Sequence, residues 1–131
     1  MRLLNSTPRN PVIENHDLQN FGLAVDRSEE VDGYSINFVT IRETHDLAPM
    51  LKGLPDDMCQ CPHWGYVFKG RVTWRYADHE EVSEAGDAYY APPGHALEAE
   101  AGTELLEISP AEELRETEAV IMANVQRMQN A

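Results

Sequence analysis

The residues best suited to chemistry lie in two short segments of the chain. Cys59, Cys61 and His63 fall within five residues, and Pro92-Pro93-Gly94-His95 places a further imidazole beside a tight turn. Thiolates and imidazoles are the ligands that zinc prefers in proteins. If the fold brings the two segments together, Cys59, Cys61, His63 and His95 form a metal site.

Strand geometry limits which of these side chains can share one ion. Cys59, Cys61 and His63 have the same parity, so all three can face one side of a strand. On a flat strand Cys59 and His63 would lie about 13 Å apart, and one ion can bind both only if the chain bends between them. Pro62 favours such a bend. Whether one cysteine binds, or both, stays open at this point.

The alternative is that no metal binds. A free cysteine is often a small buried apolar residue, and a histidine beside a turn is often held only by hydrogen bonds.

Length and charge restrict the class of protein. The 131 residues suit one domain, and 23 Asp and Glu against 10 Lys and Arg give a formal charge of −13. Such a surface repels nucleic acid and anionic membranes, so we expect neither as a partner. No apolar stretch is long enough to span a bilayer. Two cysteines one residue apart and a polar N-terminus without a signal peptide predict a cytoplasmic protein with reduced thiols.

The middle of the chain predicts short strands joined by turns. Val72, Trp74 and Tyr76 alternate with polar residues, and residues 77–80 predict a hairpin turn before a return strand over 81–84. Residues 96–100 and 103–108 predict a second hairpin around Ala101-Gly102. Evenly spaced short strands favour an all-β sandwich or barrel over residues 34–109. Residues 1–33 are predicted to be an irregular extension with an edge strand near 21–25.

The C-terminal residues 110–131 predict a helix. Ser109-Pro110-Ala111-Glu112 has the composition of a capping box, with Ser109 as the N-cap. Leu114, Ile121, Val125 and Met128 fall on one helix face. We expect that face to cover the barrel, and a homodimer contact is the alternative.

The chain resembles the cupin family over about residues 34–109. The second cupin motif, G-x(5)-P-x-G-x(2)-H-x(3)-N, is matched at its own spacing by Gly86, Pro92 and Gly94, and Gly70 fits the last position of the first motif, H-x-H-x(3,4)-E-x(6)-G. The resemblance implies a double-stranded β-helix (jelly-roll) barrel that often holds a divalent metal at its mouth.

The resemblance also has departures at the ligand positions. Counting back from Gly70 places His63 at the family's glutamate and Cys59 at its second histidine. Leu97 stands at the histidine of the second motif, and His95 precedes it by one pleat of a strand. The resemblance therefore implies a substituted ligand set, Cys59, Cys61, His63 and His95, with Asp57, at the family's first histidine, in reserve. Two thiolates favour zinc.

Two functions follow from this reasoning. The first is a small metal-dependent enzyme that acts on a small organic molecule by Lewis-acid or metal-bound-water chemistry, as an isomerase, cyclase or lyase does. The second is a cupin that senses a ligand or metal without turnover. An open coordination position beside a pocket would favour the enzyme, and a closed set of four protein ligands would favour the sensor. The sequence assigns no catalytic residue.

Overall fold

The computed structural model describes residues 13–14 and 23–130 of the chain. Within them, two antiparallel sheets pack face to face as a jelly-roll barrel, followed by a C-terminal helix, which confirms the predicted fold class. The strands are β1 (Ile13–Glu14), β2 (Ala24–Val31), β3 (Tyr34–Ile41), β4 (His45–Asp46), β5 (His63–Lys69), β6 (Arg71–Arg75), β7 (Glu80–Glu84), β8 (Ala88–Ala91), β9 (Ala96–Ala99) and β10 (Glu104–Pro110), and the helix is α1 (Ala111–Gln129). Two short 3-10 turns, Ala48–Leu51 and Pro55–Asp57, lie between β4 and β5.

The larger sheet has the order β1-β2-β3-β10-β5-β8, and the smaller has the order β4-β9-β6-β7. β6 and β7 pair through the hairpin turn predicted at residues 77–80. The hairpin predicted between 96–100 and 103–108 is wrong: β9 pairs with β4 and β6, whereas β10 pairs with β3 and β5. The chain crosses from one sheet to the other between β9 and β10, near Gly102. There the backbone N–H of Ile41 donates to the carbonyl of Thr103 at 2.8 Å.

The N-terminal part of the barrel starts earlier than residue 34. Most of the irregular extension predicted over residues 1–33, namely 1–12 and 15–22, lies outside the described residues. β2 nevertheless occupies residues 24–31 and pairs with β3 along its whole length. Asp32 and Gly33 join the two strands with positive φ angles of 50° and 83°. An Asp-Gly pair in that conformation matches the twist of a two-residue hairpin, so this dipeptide was the signal for β2.

The core lies between the sheets and continues under the helix. Between the sheets, Val67, Val72 and Trp74 are buried with Leu105. A second cluster under the helix contains Leu51, Cys59, Cys61, Ala96 and Leu114.

The helix packs against its own barrel. Leu114 and Val125 are buried, Ile121 is half-buried, and Met128 is 43% exposed. The Asn124 side chain donates hydrogen bonds to the carbonyls of Met50 and Lys52, at 2.7 and 2.8 Å, and so ties the helix to the first 3-10 turn.

The predicted capping box is wrong. Pro110 is the N-cap, and no side chain caps the helix. Ser109 is instead a fully buried residue of β10, and its hydroxyl contacts the His63 ring inside the barrel. None of the described helices is both long enough and apolar enough to cross a membrane.

Candidate metal centre

Three of the four predicted ligands converge inside the barrel. His63 opens β5, His95 immediately precedes β9, and Cys59 forms an isolated bridge with His95. In that bridge the Cys59 N–H donates to the His95 carbonyl at 2.8 Å. One ligand atom from each of Cys59, His63 and His95 lies within 4.8 Å of the other two, and all three residues are buried.

The bend required by strand geometry is present. Residues 60–62 belong to no strand, and β5 begins only at His63. Cys59 Sγ consequently lies 3.6 Å from His63 Nε2 instead of the distance along a flat strand.

The distances fit a tetrahedral ion. Zn–S and Zn–N bonds of about 2.3 and 2.0–2.1 Å, at a tetrahedral angle, separate sulfur and nitrogen by about 3.6 Å. The distance between Cys59 Sγ and His63 Nε2 has this value. A single ion can therefore bind both atoms without a change in their separation.

Hydrogen bonds orient both imidazoles for this role. His95 Nδ1 lies 2.8 Å from the Pro92 carbonyl, which can only accept, so Nδ1 carries the proton and Nε2 is left with its lone pair. His63 Nδ1 lies 2.7 Å from Ser109 Oγ, which likewise leaves His63 Nε2 to face Cys59. Metal-binding histidines commonly fix their second ring nitrogen in this way.

Burial sets the charge of the three donors. It lowers the pKa of His63 to about 3, and burial together with the neighbouring His63 lowers the pKa of His95 to about 4, so both imidazoles are neutral near pH 7. Burial also raises the pKa of the Cys59 thiol to about 11. A cation beside the sulfur would therefore be needed to hold it as the thiolate, which is the form that binds metals.

Cys61 lies outside the group that converges. Its Sγ is 3.6 Å from the carbonyl of Pro62, and the residue is 1% exposed in the cluster under the helix. Burial raises the pKa of its thiol as well.

The three donors open onto a cavity of about 110 Å³. One part of its wall is apolar and includes Ile41, Leu97, Leu114 and Ile121. The inner face of the larger sheet and the helix add the carboxyl groups of Asp26, Glu107 and Glu118.

Burial shifts the pKa of two of these carboxyl groups, those of Asp26 and Glu107. Asn37 Nδ2 donates to both oxygens of Asp26, at 3.1 and 3.0 Å. Burial nevertheless raises the pKa of Asp26 to about 7, and burial raises that of Glu107 to about 7. Glu107 Oε1 lies 3.7 Å from His63 Nδ1.

Solved structures with the same architecture decide the fold family. A cupin superfamily protein from Desulfitobacterium hafniense DCB-2 covers 84% of this chain and 98% of its own, with a TM-score of 0.54 and 14% identity. The protein has a cupin fold. A Salmonella typhimurium LT2 protein named ethanolamine utilization protein Q covers 72% of this chain and 76% of its own, at a TM-score of 0.54 and 13% identity. A Vibrio parahaemolyticus protein of unknown function covers 76% of this chain and 98% of its own, at a TM-score of 0.52 and 10% identity.

No protein-family model matches the sequence, and no curated protein matches it significantly. At these identities the likeness shows the cupin fold alone. Any role for the cavity must therefore be argued from its own residues.

Several residues around the cupin cavity were missed from the sequence. Asn37 interrupts the apolar run 36–39, and Glu107 interrupts the apolar run 105–108. A polar residue within an apolar strand was the available sign that its side chain lies in the cavity. Asp26 lies in β2, just beyond the edge strand predicted near residues 21–25, and Ser109 was assigned to the helix cap. His45 of β4 also lines the cavity.

Proposed function

We propose that the protein is a small metal-binding cupin enzyme that acts on a small organic molecule by Lewis-acid or metal-bound-water chemistry, as an isomerase, cyclase or lyase does. The observation that supports it is the convergence of Cys59, His63 and His95, with a 3.6 Å separation between Cys59 Sγ and His63 Nε2, at the wall of a cavity. Three protein ligands beside a cavity are typical of catalytic zinc, whereas structural zinc has four.

Each residue has a defined part in this proposal. Cys59 Sγ and the Nε2 atoms of His63 and His95 hold the metal, and Pro92 and Ser109 fix the two rings. A bound zinc ion would supply a Lewis acid at the wall of the cavity. The apolar wall, which includes Leu97 and Leu114, excludes water and contacts the carbon skeleton of the substrate.

Zinc is the proposed metal because one thiolate and two imidazoles form a donor set that suits it, whereas oxygen-activating iron prefers histidine and carboxylate. Cys61 would become a fourth ligand only if its side chain turned away from the Pro62 carbonyl. In that closed arrangement the protein would fit the alternative function, a cupin that senses a ligand or metal without turnover.

The cellular setting belongs to the same proposal. Both cysteines are free and buried, which suits a reducing cytoplasm. The charge of −13 favours a small-molecule ligand over nucleic acid. A homodimer would have to use a surface other than the apolar helix face, because Leu114 and Val125 are buried within the chain.

Metal analysis of purified protein tests the proposal. Inductively coupled plasma mass spectrometry should find one zinc per chain in the wild type after growth with zinc. The variants His63→Ala, His95→Ala and Cys59→Ser should lose it, while Cys61→Ser, the matched control, should keep it. Circular dichroism checks that each variant is folded.

Cobalt substitution tests the open position. The absorption spectrum of the cobalt form should change when azide or another small anion is added, because a protein with three ligands leaves a site for it. A wild type without bound metal contradicts the proposal. A cobalt spectrum insensitive to added anions favours the sensor.

A further inference from the structure

The cavity has an uneven balance of charge. Three carboxyl side chains line it, those of Asp26, Glu107 and Glu118, and none of its described lining residues is Lys or Arg. Arg27, the next residue after Asp26, has its guanidinium 5.5 Å from the centre of the Phe38 ring. The inference depends on two of these groups, Asp26 and Glu107, because carboxyl groups removed from water in one cavity favour an occupant that brings positive charge.

Glu107 is the least satisfied of these groups. Its side chain is only 16% exposed, and no hydrogen bond to its carboxyl is formed by the part of the chain that the structure describes. His63 Nδ1 lies 3.7 Å from Glu107 Oε1, beyond hydrogen-bond distance, and that nitrogen already contacts Ser109 at 2.7 Å. A largely buried carboxyl group without a hydrogen-bond partner among the described residues has free acceptor sites for a ligand.

Asp26 has free acceptor capacity beside Glu107. Both of its oxygens accept from the single Asn37 amide nitrogen, so each keeps a further lone pair. The Asn37 Oδ1 atom contacts the Ser35 hydroxyl, and this holds the amide in the orientation that serves Asp26. The carboxyl group is thus rigidly placed at the cavity wall.

The geometry favours an organic cation over a second metal ion. Among the described residues, Cys59, His63 and His95 form the group whose donors come within 4.8 Å of one another, and the three carboxyl groups form no such group. An ammonium group needs no tight cage, since it donates separate hydrogen bonds to acceptors placed around it. Trp74 also lines the cavity, and the indole ring is the aromatic group that attracts cations most strongly.

We propose that the cavity selects small organic molecules that carry an ammonium group, with Glu107 and Asp26 as the acceptors of its hydrogen bonds. This inference rests on the proposed function, because the same ligand would reach the metal held by Cys59, His63 and His95. It adds a substrate class, amines, and two residues that determine specificity.

Three probes of equal chain length test the inference: propylammonium, 1-propanol and propionate. Saturation-transfer NMR at pH 7.5 gives the dissociation constant of each, with zinc-loaded and with metal-free wild-type protein. Propylammonium should bind at least tenfold more tightly than propionate. Glu107→Gln and Asp26→Asn, which keep the side-chain volume, should each weaken propylammonium binding about tenfold. Glu100→Gln, an exposed control, should leave it unchanged.

The outcomes separate this inference from the metal proposal, because the zinc content is measured on the same samples. Propionate binding as tightly as propylammonium, no binding of any probe, or unchanged binding in both folded variants overturns the amine inference even if zinc is bound. Selective propylammonium binding by a protein that never takes up zinc supports it and contradicts the metal proposal instead.

Discussion

His63 Nδ1 lies 2.7 Å from the hydroxyl oxygen of Ser109, although 46 residues separate them in the chain. β5 and β10 are neighbours in the larger sheet, and their pairing brings the first residue of one beside the end of the other. The contact leaves His63 Nε2 directed at Cys59, 3.6 Å away. Ser109 is therefore a positioning residue for the candidate metal centre.

Replacing Ser109 tests this role. Ser109→Ala should lower zinc affinity about 10–100-fold, because the partner that fixes the His63 ring is lost. Competition with a chromophoric chelator measures the affinity. Ser28→Ala, a half-buried serine of β2, should have no effect. Equal affinities of the Ser109→Ala variant and the wild type would show that the contact does not support the metal.

The raised pKa of Asp26 predicts a stability that depends on pH. The pKa is about 7 in the folded protein and about 3.8 in the unfolded chain, so between these values the folded state binds more protons. Stability supplied by this group therefore falls as pH rises from about 4 to 7. Asp26→Asn removes the cost of burying a charged carboxylate. It should therefore raise the free energy of unfolding by roughly 2–4 kcal/mol at pH 8.5.

Urea denaturation at pH 5 and pH 8.5 measures the difference between Asp26→Asn and wild type. The gain in the free energy of unfolding should be smaller at pH 5 and should shrink further toward pH 4, where Asp26 of the wild type is protonated in the folded state. A gain of equal size at both pH values would contradict the assignment. Glu100→Gln should show neither gain nor pH dependence, because Glu100 is exposed.

A close approach between strands at Gly65 predicts a large loss of stability. A Cβ atom there would lie 1.8 Å from the Leu106 carbonyl oxygen and 2.5 Å from the Tyr89 hydroxyl. That hydroxyl donates to the same carbonyl at 3.0 Å. Gly65→Ala should lower the free energy of unfolding by on the order of 3 kcal/mol, since backbone must move. Chemical denaturation measures it.

The control for Gly65 is Gly33→Asn. Nothing lies within 4 Å of a Cβ at Gly33, and asparagine tolerates its positive φ of 83°. That variant should change stability by less than about 0.5 kcal/mol. A Gly65→Ala protein as stable as this control would mean that β5 and β10 are less closely packed.

The two hydrogen bonds that the Asn124 side chain donates stabilise the contact between the helix and the first 3-10 turn. Asn124→Ala leaves the carbonyls of Met50 and Lys52 without this donor and should destabilise the protein by about 2 kcal/mol. Thermal unfolding followed by circular dichroism measures the loss. Gln126→Ala, on the exposed side of the same helix, is the control and should behave as wild type.

The sequence by itself determined the features that local patterns encode. The period-two alternation of β6, the turn residues around it, and the spacing of Gly70, Gly86, Pro92 and Gly94 predicted an all-β cupin barrel. The two Cys and His segments predicted where donor atoms would gather, since thiols and imidazoles are the side chains that suit zinc. Each of these signals comes from a single strand, turn or motif, whose residues lie close together in the chain.

The tertiary structure alone decided which of these groups meet. It separated β9 from β10 into opposite sheets, directed the Ser109 hydroxyl to His63 instead of the helix, and brought Cys59 rather than Cys61 beside His63. It also turned Asp26 and Glu107 toward one cavity. The physical reason is that strand pairing and burial bring together residues that are far apart in the chain. The local sequence pattern around one such residue does not indicate which distant residue it contacts.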